Sequence, residues 1–273
     1  MKNFNMTRFC RVLKLDFVEG RKAMMWGALC MLLLYLFFFW FAHAIGFHNV
    51  SFYGATPEKI MQLKVNTICE AVGAFGMMAM FIFFLIAAST LYRGEQKKQQ
   101  RIAWLMLPAS NLEKFLSRWV YLLVFSLVGG LLPFFVADLI HMAYLSMADY
   151  PVMAVTDDFF QFFPHVGHRG DSWLSVTRVY AFQVGIHAFY LLGGVFFRKY
   201  HFIVTSALAV LILISLASCY NMMGLYKYND GVEYLAVETG IIVLSVLAVV
   251  GFSWLAYRLF CRWQVVTHKF ANV

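Results

Sequence analysis

The chain has 273 residues, 62% of them hydrophobic and 13% charged, with a formal net charge of +8. A soluble domain of this length needs far more polar surface to cover its core, and little chain is left outside the apolar stretches for a soluble catalytic domain. The positive charge is spread along the chain, and no basic stretch carries a nucleic-acid reader motif, so nucleic acid is not an expected partner.

Residues 4–22 predict an amphipathic helix lying along the cytoplasmic face of a membrane, with a basic flank as the plainer alternative. Met6, Phe9, Leu13 and Phe17 share one face, opposite Arg8, Arg11 and Lys14, although Leu15 and Val18 interrupt the pattern. Six apolar runs follow, at roughly 23–47, 67–92, 119–144, 174–197, 202–220 and 237–260. Each supplies about the 19 or more residues that a helix needs to cross roughly 30 Å of hydrocarbon. Backbone in lipid must bond to itself, so the expected fold is all-α, a polytopic membrane protein forming a single transmembrane domain over 1–273. Ala42-His43-Ala44 mimics a signal-peptidase site, but the run before it is too long for a signal-peptide core and reads as a retained span.

Thr56-Pro57-Glu58 gives the second helix an N-cap, a first-turn proline and an acid at its positive end. Running to Tyr92, it would measure about 54 Å, so it projects beyond the bilayer, tilts, or breaks near Gly73 and Gly76. The loop 93–118 has three parts: a charged piece from Arg93 to Arg101, an apolar patch from Ile102 to Leu107 with Trp104 as anchor, and Pro108 before Ser110-Asn111-Leu112-Glu113. That last tetrapeptide reads as a capping box starting the third helix. An apolar patch in a solvated loop calls for a cover: headgroups, the protein's own helices or a partner. Gly129-Gly130 with Pro133 predicts a kink or thin section, serving as a hinge or as a place where a neighbour packs closely. A long loop at 145–173 carries Phe159, Phe160, Phe162, Phe163 and Trp173; spans four and five are joined by Arg198-Lys199-Tyr200-His201, and 221–236 is rich in tyrosine.

With the N-terminus inside, Lys59, Lys64, Arg169, Arg178 and Lys227 are the only ones of the 22 basic residues on or near the outer side. The bias predicts both termini in the cytoplasm. The five cysteines are scattered and read as small apolar packers rather than a disulfide framework.

Ionisable groups within the runs are Glu70, Asp138, His141 and His187. Such groups are costly in lipid and line a bundle interior, a substrate path or an aqueous route. Asp138 and His141 share a helical face, and with His187 they could hold a metal or relay protons, but no H-E-x-x-H motif accompanies them and neither metal nor cofactor is expected. There is no G-x-x-x-x-G-K-S/T, no G-x-S-x-G and no C-x-x-C. The chain brings no visible energy source of its own.

Six spans with both ends inside, a basic entry helix and a mixed loop after the second span resemble the permeases of ABC-2 type transporters. The stretch Leu107-Pro108-Ala109-Ser110-Asn111-Leu112-Glu113-Lys114-Phe115 is similar to the L-P-x-S-x-x-E-K stretch of many bacterial members. The resemblance implies a transport subunit of the cytoplasmic (inner) membrane, not itself an enzyme. It would pair as a homodimer or heterodimer and be driven by a separate ABC ATPase subunit. It also implies that 4–22 is a connector helix and that Arg101, Trp104, Leu105, Pro108, Ser110 and Glu113 serve contact or force transfer to that ATPase, while the segment before the sixth span is an extracellular cap. The long aromatic loop departs from the pattern. Two other readings stand beside it: a non-transport assembly or sensor protein, and an intramembrane enzyme built on Asp138, His141 and His187.

Overall fold

The computed structural model describes residues 4–49, 56–90, 98–156, 173–197, 199–222 and 231–262. Among the described residues the secondary structure is helical, without β-strands. In chain order the helices are α1 (Met6–Asn49), α2 (Pro57–Thr90), α3 (Lys98–Leu105), α4 (Asn111–Met147), α5 (Trp173–Phe196), α6 (His201–Met222) and α7 (Gly231–Cys261). Arg93 to Lys97, Phe159 to Phe163 and residues 223–230 of the tyrosine-rich stretch before the last span lie outside the described residues, as does the side chain of Arg101.

Among the described residues, five helical stretches are long and apolar enough to cross a membrane: Met6–Ile45, Pro57–Thr90, Asn111–Met147, Val176–Phe196 and Thr239–Cys261. The run predicted at 202–220 falls in α6, whose described apolar stretch, His201–Ser215, is shorter. Wide apolar faces stay uncovered, including Met25, Trp26, Leu33 and Trp40 on α1 and Leu244, Leu247, Val250 and Trp254 on α7. No soluble protein leaves so much contiguous apolar surface to water; hydrocarbon is its natural cover.

One element differs from expectation. α1 is one unbroken helix of 44 residues, about 66 Å long, where the sequence predicts an interfacial helix followed by a separate span. No proline stands in it, and a single Gly20 at the junction costs only about 1 kcal/mol against alanine. α2 likewise continues past Gly73 and Gly76 for 34 residues, and both glycines are buried. Around Pro133, α4 is also continuous. A Cβ on Gly129 would sit 3.2 Å from the Phe83 ring, and one on Gly130 3.3 Å from Met80 Cγ. These glycines therefore let α2 approach α4 closely.

The chain divides into two compact units, Met1–Asp16 with Leu85–Leu122 and His165–Val273, and Phe17–Phe84 with Leu123–Pro164. The core of the second unit joins three stripes at helical spacing: Met31, Tyr35 and Phe39 of α1, Val65, Ile68, Cys69 and Val72 of α2, and Phe134, Ala137 and Leu145 of α4. α4 then ends with Asp149 at φ 54°, where the Tyr150 N–H reaches back to the Leu145 carbonyl at 3.0 Å. An aspartate tolerates this left-handed position, and the stop turns residues 150–155 back onto the core.

In the first unit α5 packs on α7 and α6. Phe189 meets Phe252 edge-on at 5.4 Å, and the hydroxyls of Tyr190 and Ser206 share a hydrogen bond of 2.8 Å. Phe115, in the first turns of α4, lies between Tyr257 and Phe260 of α7.

Candidate functional site

The most elaborate polar site in the first unit is built around the end of the loop 98–118. Ser110 and Glu113 form the capping box: the Glu113 N–H donates to Ser110 Oγ at 3.2 Å, and the Ser110 N–H donates to Glu113 Oε2 at 2.8 Å. The second carboxylate oxygen serves another helix. Glu113 Oε1 accepts the Asn5 N–H at 2.7 Å and Arg8 Nη2 at 3.0 Å. Asn5 is itself the N-cap of α1, its Oδ1 accepting the N–H groups of Thr7 and Arg8. One fully buried carboxylate thus closes the starts of both α1 and α4, where helix dipoles favour a negative charge.

The next residue does the complementary work. Lys114 Nζ donates to the Leu105 carbonyl, the last residue of α3, at 3.0 Å, which places a cation at a helix C-terminus. Three helix ends are therefore fastened by two consecutive side chains.

One turn further along, α1 and α4 are joined again. Asp16 accepts Ser117 Oγ at 2.8 Å and pairs with Arg118 Nε at 2.8 Å. The Arg118 guanidinium lies 4.2 Å from the centre of the Trp104 ring, so it spans from the Asp16 carboxylate on α1 to the indole on α3. Trp104 is buried, and its Nε1 has no hydrogen-bond partner among the described residues. What the segment leaves uncovered is the turn after α3, with Met106 78% exposed and Pro108 also exposed.

The expected contact residues thus divide. Trp104, Ser110 and Glu113 hold the segment to α1 and α4, Leu105 supplies the carbonyl that Lys114 caps, and Pro108 faces outward. Sequence reasoning missed Asp16, Arg8 and Arg118 as members of the site. The inward stripe of α1 runs through Phe9, Val12 and Asp16, whereas Met6, expected on it, is exposed. An acid among apolar positions of that stripe was the available signal.

A separate cluster occupies the second unit. Asp138, buried on α4, accepts the N–H groups of Val155 at 3.0 Å and Thr156 at 2.9 Å, and the Thr156 hydroxyl. It therefore grips the segment that follows α4. One turn on, His141 meets His43 of α1, Nε2 to Nε2, at 2.9 Å. Phe39 stacks on His141 at 4.3 Å, and Tyr144 meets His43 edge-on. His43, noticed in the sequence only inside Ala-His-Ala, is the partner His141 needed. Glu70 accepts Asn66 Nδ2 at 3.2 Å on its own helix and is exposed, while His187 is buried in the first unit. Among the described residues, no three His, Cys, Asp or Glu side chains gather as a metal site.

By its apolar helices the chain is a multi-pass membrane protein of all-helical fold. No family model matches it, nor does any curated protein or solved structure.

Proposed function

We propose that this chain is the membrane-spanning subunit of an ATP-driven exporter of the ABC-2 type. On this reading it crosses the cytoplasmic membrane six times with both termini inside and works as a dimer with a separate ATPase. The observation that carries the reading is the fastening of the loop 98–118. Glu113, Lys114, Asp16 and Arg118 tie α3 to the starts of α1 and α4, while Met106 and Pro108 remain bare. A force applied to the bare turn is delivered to two membrane helices at once, because the ties are short and charge-assisted. That these 273 residues carry no nucleotide motif supports fuel supplied by another polypeptide.

In this mechanism Met106 and Pro108 seat in the partner, α3 moves as a rigid piece, and the Arg118 and Glu113 ties convert its displacement into rocking of α1 and α4. The test is reconstitution with the ATPase that co-purifies from the native membrane. Met106→Arg is expected to abolish stimulation of ATP hydrolysis while insertion and folding stay normal. Transport that proceeds fully without any ATPase ends the proposal. The topology has its own check: Cys10 and Cys261, both free and exposed, should react with an impermeant maleimide only from the cytoplasmic side.

A further inference from the structure

Two buried imidazoles in the second unit take no part in the coupling described above. His43 stands six residues before the end of α1, and His141 six before the end of α4. The helices run side by side in the same direction, since Tyr35 meets Phe134 and, further along both, His43 meets His141. The pair therefore lies near one membrane face, about 9 Å along each helix from its end. At 2.9 Å, one ring donates its Nε2–H and the other accepts with the Nε2 lone pair. The accepting ring is neutral, and charging either ring in these apolar surroundings costs free energy. With both rings charged, two donors face each other and no acceptor is left.

The surroundings decide what a proton does there. Phe39 of α1 stacks on His141, and Tyr144 of α4 meets His43 edge-on. Tyr150, just past α4, packs on the same core. From α2, Lys64 stands beside Ala42 of α1 in the wall of a groove, while Glu58, Lys59 and Glu70 are exposed, as is Asp149. Among the described residues, Asp138 is the second unit's one buried carboxylate. It lies one turn before His141 on α4, and His141 interacts electrostatically with both Asp138 and His43. The donors that Asp138 accepts from are neutral, two backbone N–H groups and the Thr156 hydroxyl, so an imidazolium brought to it gains an ionic partner.

We propose that His43 and His141 form an acid-opened latch between α1 and α4, responding to the membrane face at which these helices end. Neutral, the pair holds the two ends together. A proton from that face makes His141 an imidazolium, which turns from His43 to the Asp138 carboxylate, and the helix ends part. Asp138 then loosens its hold on Val155 and Thr156. The latch does not depend on the transport reading.

The experiment measures the separation of the two ends by pulsed electron resonance. Spin labels go on Ile45→Cys and Met147→Cys, both exposed positions, in the full chain with its native cysteines replaced by alanine. Moving from about pH 8 to about pH 5.5, one unit below the ordinary imidazole value of about 6.5, should raise the ratio of parted to closed ends about ten-fold for one proton. The His43→Phe, His141→Phe double variant should stay closed at both. So should the gentler His141→Gln, which keeps a hydrogen-bonding side chain but cannot charge. Asp138→Asn should open less in acid, and Glu70→Gln, on an exposed face of α2, should open as the parent does. An unchanged separation in the parent overturns the proposal. So does an acid response that persists in His141→Gln or the double variant, or one undiminished in Asp138→Asn, when each elutes as the parent does.

Discussion

Glu113 and Asp138 are both carboxylates removed from solvent, and they are held by opposite means. Glu113 has an arginine and two backbone N–H groups, and it joins elements more than a hundred residues apart in the chain. Asp138 accepts hydrogen bonds from neutral donors on a segment fewer than twenty residues away. The first is a tie between helices; the second is a clasp that shapes the end of a single connection. A buried carboxylate matched by a cation and by two helix starts resists separation strongly, because opening it strands the carboxylate and uncaps both helices. A charge matched by amide dipoles can be released by peeling back one loop, at the cost of orphaned N–H groups.

Substitutions can break this contrast. Glu113→Ala is expected to have the largest effect, about 2–4 kcal/mol of destabilisation, because it uncaps two helix starts and unpairs the partly exposed Arg8; thermal unfolding of the purified protein measures it. Asp138→Ala should cost less, about 1–3 kcal/mol for the donors left unsatisfied. Its signature is local: limited proteolysis should cut within 148–156 faster while the 98–118 segment keeps its protection. Equal protease sensitivity of both segments would show that the two carboxylates do not act independently.

His43→Phe sharpens the picture on the neutral side. It leaves the buried His141 Nε2 without its ring partner and should lower stability by about 1–2 kcal/mol, whereas the His43→Phe, His141→Phe double variant should recover most of that loss. The smallest effect belongs to Glu113→Gln. An S-x-x-Q capping box still forms, and only the charge on the partly exposed Arg8 is lost, about 1 kcal/mol. If Gln and Ala at 113 prove equally damaging, charge rather than capping dominates the tie.

Legibility followed the range of the interaction. The box at Ser110 and Glu113 spans four residues and was readable from spacing alone, as was the start of α2 at Thr56-Pro57-Glu58. The second half of Glu113's work was not readable, because Asn5 and Arg8 are distant in sequence and no local pattern links them to 113. Asp16 is the clearest miss. Its neighbours made residues 4–22 read as an interfacial helix with cations among headgroups, yet α1 turns Asp16 inward to Ser117 and Arg118. The glycines at 129 and 130 invited two readings, hinge or contact, and only the position of Phe83 and Met80 supplied a packing reason for them.

By itself the sequence determined that this chain is helical and made for lipid, since the length and apolarity of its runs leave backbone no other way to satisfy its hydrogen bonds. It also determined where several helices begin, because capping is chemistry between near neighbours. Which carboxylate meets which cation, which histidine finds a second histidine, and whether α1 is one helix or two were decided by tertiary structure. Those outcomes depend on side chains about a hundred residues apart being brought within 3 Å, and only the packing of whole helices against one another can do that.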